Sequence, residues 1–181
     1  ARGYSREGGI MVGHNNSMDS QIGQNVVRLD DVALRVLATD RGVLAVEFEG
    51  VQQESGAGNP GNAASCYAAE AAEQLRAYFS GELCTFTVPV DLSRVTTPFQ
   101  RRVLQAMARI PYGQTWSYAQ LAAEAGSPRA IRAAASACAN NPLPILYPCH
   151  RVVRSDGHIG KYLGGAELKQ ALIDMERRHC A

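Results

Sequence analysis

Cys149, His150 and Arg151 stand side by side in the run Asn140-Asn141-Pro142-Leu143-Pro144-Ile145-Leu146-Tyr147-Pro148-Cys149-His150-Arg151-Val152-Val153. A thiol attacks only as thiolate, and a free cysteine, with a pKa of about 8.5, needs a base, a cation or a helix N-terminus nearby to ionise. His150 and Arg151 are adjacent candidates for that task. Pro142, Pro144 and Pro148 lack a backbone donor and restrict the residue before each of them, so a stiff turn should present the thiol. Adjacency alone does not make a nucleophile, because free cysteines are usually small buried hydrophobes. A working site also needs an oriented base and a third group from elsewhere in the chain.

The elements that must hold this segment follow from periodicity. Residues 1–21 mix Gly, Ser, Asn and isolated charges, begin without Met, and are expected to be a flexible leader, tag or arm. Val26–Leu29, Val32–Ala38 and Gly42–Phe48 read as strands, with Asp30-Asp31 and Asp40-Arg41-Gly42 as hairpin turns. A loop is expected from Gln52 to Asn62, a helix from Ala63 to Phe79 stopped by Ser80-Gly81, and one more strand at Phe86-Thr87-Val88. A boundary near residue 92 would separate a small α/β unit, 22–92, from a mostly helical one, 93–181.

In the second unit Thr97-Pro98 should cap a helix with Phe99, Val103, Leu104, Met107 and Ile110 on its apolar face. Ser117 opens a short helix, Gly126-Ser127-Pro128 turns the chain, and a second helix is expected from Arg129 to Cys138. That is a helix-turn-helix pattern. Ala133, Ala135 and Ser136 leave the second helix nearly bald, which suits close docking on a minor groove better than reading base edges in a major one. A glycine-punctuated loop from Arg154 to Gly165 should fold over Cys149, and a last helix from Ala166 to Arg178 carries Glu176 near its end. The fold class expected is α+β: an antiparallel sheet with its helix, then a winged-helix-like domain holding the cysteine.

The net charge of +1 conceals an asymmetry: residues 1–93 carry six Lys/Arg against twelve Asp/Glu, whereas residues 94–154 carry eight arginines against Glu124 alone. A basic half of this kind points to a polyanionic partner. The five cysteines show neither CxxC nor zinc-ligand spacing, and the four histidines are scattered at 14, 150, 158 and 179. Reduced thiols, no metal, no cofactor and a cytoplasmic setting, or a nuclear one in a eukaryote, are therefore expected. No apolar run approaches the roughly 18 residues that a membrane-spanning helix needs.

Pro148-Cys149-His150-Arg151-Val152, preceded by Asn141-Pro142, resembles the signature of the O6-alkylguanine-DNA alkyltransferases, which reverse DNA alkylation directly. The resemblance covers roughly Phe99 to Glu176 closely and the first half in architecture, where it implies a ribonuclease H-like domain. It implies that Cys149 accepts the alkyl group, that His150 is its water-mediated base and that Glu176 orients the histidine. Asn141 would be a hinge between recognition helix and active segment, and Tyr118 a donor to the departing guanine. Arg132 would fill the gap left by a flipped nucleotide, with Arg129, Ala133, Ala135, Ser136 and Tyr118 beside it on the DNA. Val152, Tyr162, Leu163, Gly164 and Pro144 would wall the base pocket, with Lys169 near its rim. The implied partner is double-stranded DNA gripped in the minor groove by a monomer, and the implied reaction is a single self-alkylation that repairs O6-alkylguanine and O4-alkylthymine. Ala135-Ser136 in place of a glycine pair, and Leu163 in place of a small or basic residue, depart from the pattern. Two rivals fit less well: alkyltransferase-like lesion binders lack the cysteine, and a cysteine hydrolase would leave the helix-turn-helix unexplained.

Overall fold

The computed structural model describes residues 22–49 and 61–179; the expected leader and residues 52–60 of the expected loop lie outside the described residues. Alternating apolar positions and two tight turns fold Gly23–Arg28 (β1), Ala33–Thr39 (β2) and Gly42–Glu49 (β3) into an antiparallel sheet of order β1-β2-β3. Its register pairs Val27 with Leu34 and Val36 with Val46, which places these buried side chains in one core. The helix Ala63–Phe79 (α1) covers the sheet, started by Asn62, whose side chain accepts from Ser65 N at 2.8 Å. Its buried face is built from Ala64, Ala68, Ala71, Ala72 and Leu75, so helix and sheet approach closely. A Cβ added at Gly23 would lie 2.3 Å from the backbone of Ala64.

Phe86-Thr87-Val88 does not form the expected strand. Gln74 of α1 accepts from Thr87 N at 3.0 Å and Val88 N at 3.3 Å, so a helix side chain takes the donors that a neighbouring strand would need. The chain instead touches the sheet just beyond, where Val43 donates to Pro89 O and Asp91 donates to Val43 O, both at 2.8 Å.

Beyond residue 92 the helix Pro98–Met107 (α2) starts at Thr97, whose hydroxyl accepts from Gln100 N at 3.1 Å. Trp116–Ser117 (β4) leads into Tyr118–Glu124 (α3), opened by a capping box between Ser117 and Gln120. Gly126, at φ +82°, turns the chain into Ile131–Ala139 (α4). The second helix thus begins two residues later than expected. Ala130 donates to Ser127 O at 2.9 Å and holds φ −90°, ψ 44°, so Arg129 belongs to the turn and not to the helix. Val152–Val153 (β5) pairs in parallel with β4, and Ala166–His179 (α5) closes the described chain.

Two apolar cores result. The first, around Val27, Leu34, Val36 and Leu75, also takes in Leu143, Ile145, Leu172 and Met175 from the second half of the chain. The other joins Val103, Leu104, Met107, Leu121 and Ala134 to Cys138, Cys149 and Val152. The Asn141–Val153 segment therefore lies along the seam between the two cores. Among the described residues no helix is long and apolar enough to cross a membrane.

Candidate active site

The segment before the thiol is held by one asparagine. Buried Asn141 donates from Nδ2 to Tyr147 O and accepts at Oδ1 from Leu143 N, both at 2.9 Å. Inside that clip Ile145 adopts φ 74°, a backbone conformation that costs a β-branched residue roughly 1–3 kcal/mol. Its side chain is almost fully buried, and that burial offsets the strain.

Cys149–Arg151 is a 3₁₀ turn. With three residues per turn, successive side chains leave in three directions, and this separates the three candidate groups. Cys149, 3% exposed, lines a cavity of about 370 Å³ together with Tyr118 of α3, Ala135 and Cys138 of α4, and Tyr162 and Leu163 of the loop. His150 is fully buried and turns its Nε2 to Glu176 Oε1 at 2.8 Å. Arg151 points away from the thiol, its guanidinium gripping both Glu176 oxygens at 2.9 Å and Ile110 O at 2.8 Å. The expectation that Arg151 activates Cys149 is thus corrected: the turn aims it at the carboxylate.

The electrostatics follow from this placement. Burial pushes the Cys149 thiol up, against the opposing pull of the Asn141 side chain and the Lys169 charge, so the resting thiol is protonated. The lowered thiol pKa expected from an adjacent base and an adjacent cation is absent; ionisation requires a base to take the proton. Burial holds His150 below its ordinary value, outweighing the bond and charge of Glu176, so its imidazole is neutral at neutral pH. Since Nε2 donates to a carboxylate, the proton sits there, and Nδ1 is a bare acceptor, buried and without a protein partner. Burial would raise Glu176, but hydrogen bonds from His150 and Arg151, together with the Arg151 charge, hold it at about 2. Chemically, a thiol, a neutral imidazole and an ionised carboxylate can serve as nucleophile, base and orienter.

Tyr118 is half-buried and pushed up to about 12 by burial and by the two thiols, so it is a phenol that can donate into the cavity. Lys169, expected near the rim, is buried: its Nζ donates to Lys161 O at 3.3 Å and lies 5.7 Å from the centre of the Tyr118 ring, behind the cavity wall. Val152 is fully buried in the short ladder with Trp116, and Pro144 is buried in the Asn141 clip. Neither lines the cavity, and Val152 packs into the second core. Gly164 does not line it either. It packs against Leu168 and Phe48, where a Cβ would come within 2.6 Å of the leucine. On the outer side Arg132, Ala133 and Ser136 of α4 are exposed, as is Arg129 in the turn before it, while Ala135 reaches the cavity.

Sequence reasoning missed Cys138, a second thiol on the cavity wall that burial and the neighbouring Cys149 push up to about 12. It also missed Tyr78 of α1, whose hydroxyl donates to Glu176 Oε1 at 2.7 Å. Neither carries a local signal: both look like ordinary apolar positions on their helices.

Residues 98–178 match the family model described as 6-O-methylguanine DNA methyltransferase, DNA binding domain. A methylated-DNA–protein-cysteine methyltransferase of Mycolicibacterium paratuberculosis is 48% identical over 61% of this chain and 66% of its own length. A constitutive one of Bacillus subtilis is 49% identical over 60% of this chain and 66% of its length. The chain thus spans just under two thirds of these curated relatives. The crystal structure of Mycobacterium tuberculosis OGT in complex with DNA aligns with TM-score 0.73 and 33% identity, covering 86% of this chain and 93% of that one. The chain belongs to the O6-methylguanine DNA methyltransferase family. In this chain the stretch matching the family model holds Cys149, His150 and Glu176, whereas α1, with Tyr78, precedes it.

Proposed function

We propose that this chain reverses O6-alkylguanine damage in double-stranded DNA, and O4-alkylthymine damage by the same chemistry, by moving the alkyl group once onto Cys149. The observation that carries the reading is the position of Cys149 on a cavity beside α4, next in the chain to His150, whose Nδ1 is buried and bare and whose Nε2 meets Glu176.

The lesion lies inside the duplex, so the nucleotide must be extruded at a cost of a few kcal/mol, less for a weakened pair. The bald face of α4 lies against the minor groove, and exposed Arg132 fills the space that the nucleotide leaves. The extruded base enters the cavity between Tyr118, Tyr162 and Leu163. His150 takes the thiol proton at Nδ1 by way of a water molecule, and Glu176 stabilises the imidazolium that forms. Sγ then attacks the alkyl carbon: the S–C bond forms, the C–O6 bond breaks, and Tyr118 donates a hydrogen bond to the purine as its oxygen takes up the electron pair. A thioether is left on Cys149. That bond lies off the reversible oxidation ladder of cysteine, so each molecule acts once, as a monomer and without a cofactor. A reaction that needs duplex DNA and a reduced Cys149 thiol fits the cytoplasm, or a nucleus.

The test is mass analysis after incubation with duplex DNA bearing O6-methylguanine. One added methyl group on the Cys149 peptide, none on the Cys138 peptide, and no second turnover are expected. Catalytic turnover, or a methyl group on Cys138, would sink the reading.

A further inference from the structure

Glu176 is the meeting point of groups from both halves of the chain. Its Oε1 accepts from His150 Nε2, from Arg151 and from Tyr78, and its Oε2 accepts from Arg151 and from Gly113 N at 3.2 Å. Tyr78 stands in the last turn of α1, fully buried, against the edges of the Tyr112 and His150 rings. Its hydroxyl oxygen lies 3.2 Å from His150 Nε2 as well as 2.7 Å from Glu176 Oε1. Burial and the adjacent carboxylate keep the phenol far above its ordinary value, so this hydroxyl donates at every pH at which the protein works.

Tyr78 therefore competes with His150 for one carboxylate oxygen. A carboxylate that accepts a second strong hydrogen bond has less charge to offer the first donor, and its power to raise the imidazole falls. The charged or titratable groups acting on His150 are Glu176 and Lys169 from α5, Arg151 from its own turn and Tyr78 from α1, with Tyr162 of the loop stacked edge-on. Of these, Tyr78 alone comes from the helix that covers the sheet.

We propose that Tyr78 is a positioning residue for alkyl transfer, through which α1 keeps His150 neutral, with Nδ1 bare, by occupying part of Glu176 Oε1. The inference rests on the alkyl-transfer reading above for its consequence, but not for its physical content. Tyr78 touches neither the thiol nor the cavity, so it acts only through the imidazole.

The experiment uses the full chain carrying Tyr78→Phe, which keeps the ring and removes the hydroxyl. Two readouts are taken: the His150 imidazole titration by NMR, and the single-turnover rate on O6-methylguanine duplex between about pH 5.5 and 9. With the competing donor gone, the His150 titration moves up by about half a unit to one unit, and the acid limb of the rate profile moves up with it. At pH values below the unmutated midpoint this lowers the rate by the same factor, roughly three- to tenfold, while at about pH 8.5 it stays within about twofold of the unmutated chain. A uniform fall in rate with both midpoints unmoved, or a downward shift, would overturn the proposal, since a purely structural role predicts the first. If Tyr78→Phe does not fold, 3-fluorotyrosine at position 78 supplies the test with the opposite sign. Its stronger donor must lower the His150 midpoint, and an unmoved midpoint overturns the proposal. The titration needs no substrate, so an inert unmutated chain would sink the alkyl-transfer reading while the NMR midpoint still judged Tyr78.

Discussion

Asn141→Ala removes both hydrogen bonds of the clip before Cys149, and its cost can be worked from the structure. Each bond contributes about 1 kcal/mol net. The two backbone partners then fare differently. Tyr147 O keeps a donor, because Cys149 N already reaches it at 2.8 Å. Leu143 N, in a fully buried residue, loses the Asn141 acceptor, and a stranded buried donor costs about 1–3 kcal/mol more. The sum is about 3–5 kcal/mol, in a segment that also carries the strain of Ile145 at φ 74°. At about 2–4 °C per kcal/mol for a chain of this size, thermal melting should fall by roughly 6–20 °C. Single-turnover transfer should slow as well, because the Cys149 N–H is anchored on the same carbonyl. The control is its neighbour: Asn140 is exposed and, among the described residues, its side chain bonds only Ser136 O, so Asn140→Ala should stay within about 0.5 kcal/mol. Melting of Asn141→Ala within a degree or two of the unmutated chain would refute the clip.

Two further outcomes follow from the same structure. Because exposed Arg132 is assigned to the gap left by the flipped nucleotide, Arg132→Ala should slow transfer from duplex DNA roughly 10- to 100-fold, while reaction with free O6-benzylguanine stays within about twofold; equal losses on both substrates would remove the wedge. Glu176, lowered in the folded state to about 2, contributes stability that is complete above its unfolded value of 4.5 and is lost as pH falls toward 2, on the order of 3 kcal/mol in total. Acid titration of melting should therefore steepen in that window, and Glu176→Gln should flatten it.

Much of this protein was legible without a structure, because its signals are local. Strand alternation, turn residues and caps depend on neighbours within a few positions, and they placed β1–β3, α1, α2, α3 and α5 nearly as found. The capping box at Ser117 and the glycine turn at 126 likewise lie in consecutive residues. The failures came where a distant group took over a backbone donor or a turn redirected a side chain. Gln74 removed the strand at 86–88, and the 3₁₀ geometry after Pro148 sent Arg151 to Glu176 and not to Cys149.

The amino-acid order by itself set a thiol and an imidazole side by side on a proline-stiffened run, and the resemblance of that run supplied the roles proposed for Cys149 and His150. Only the tertiary structure decided how acidic that thiol is, which imidazole nitrogen is free, and that α1 reaches the carboxylate through Tyr78. Burial and hydrogen bonding between residues as far apart as Tyr78 and Glu176 set those properties, and no local pattern encodes a dielectric or a contact across such a span of chain.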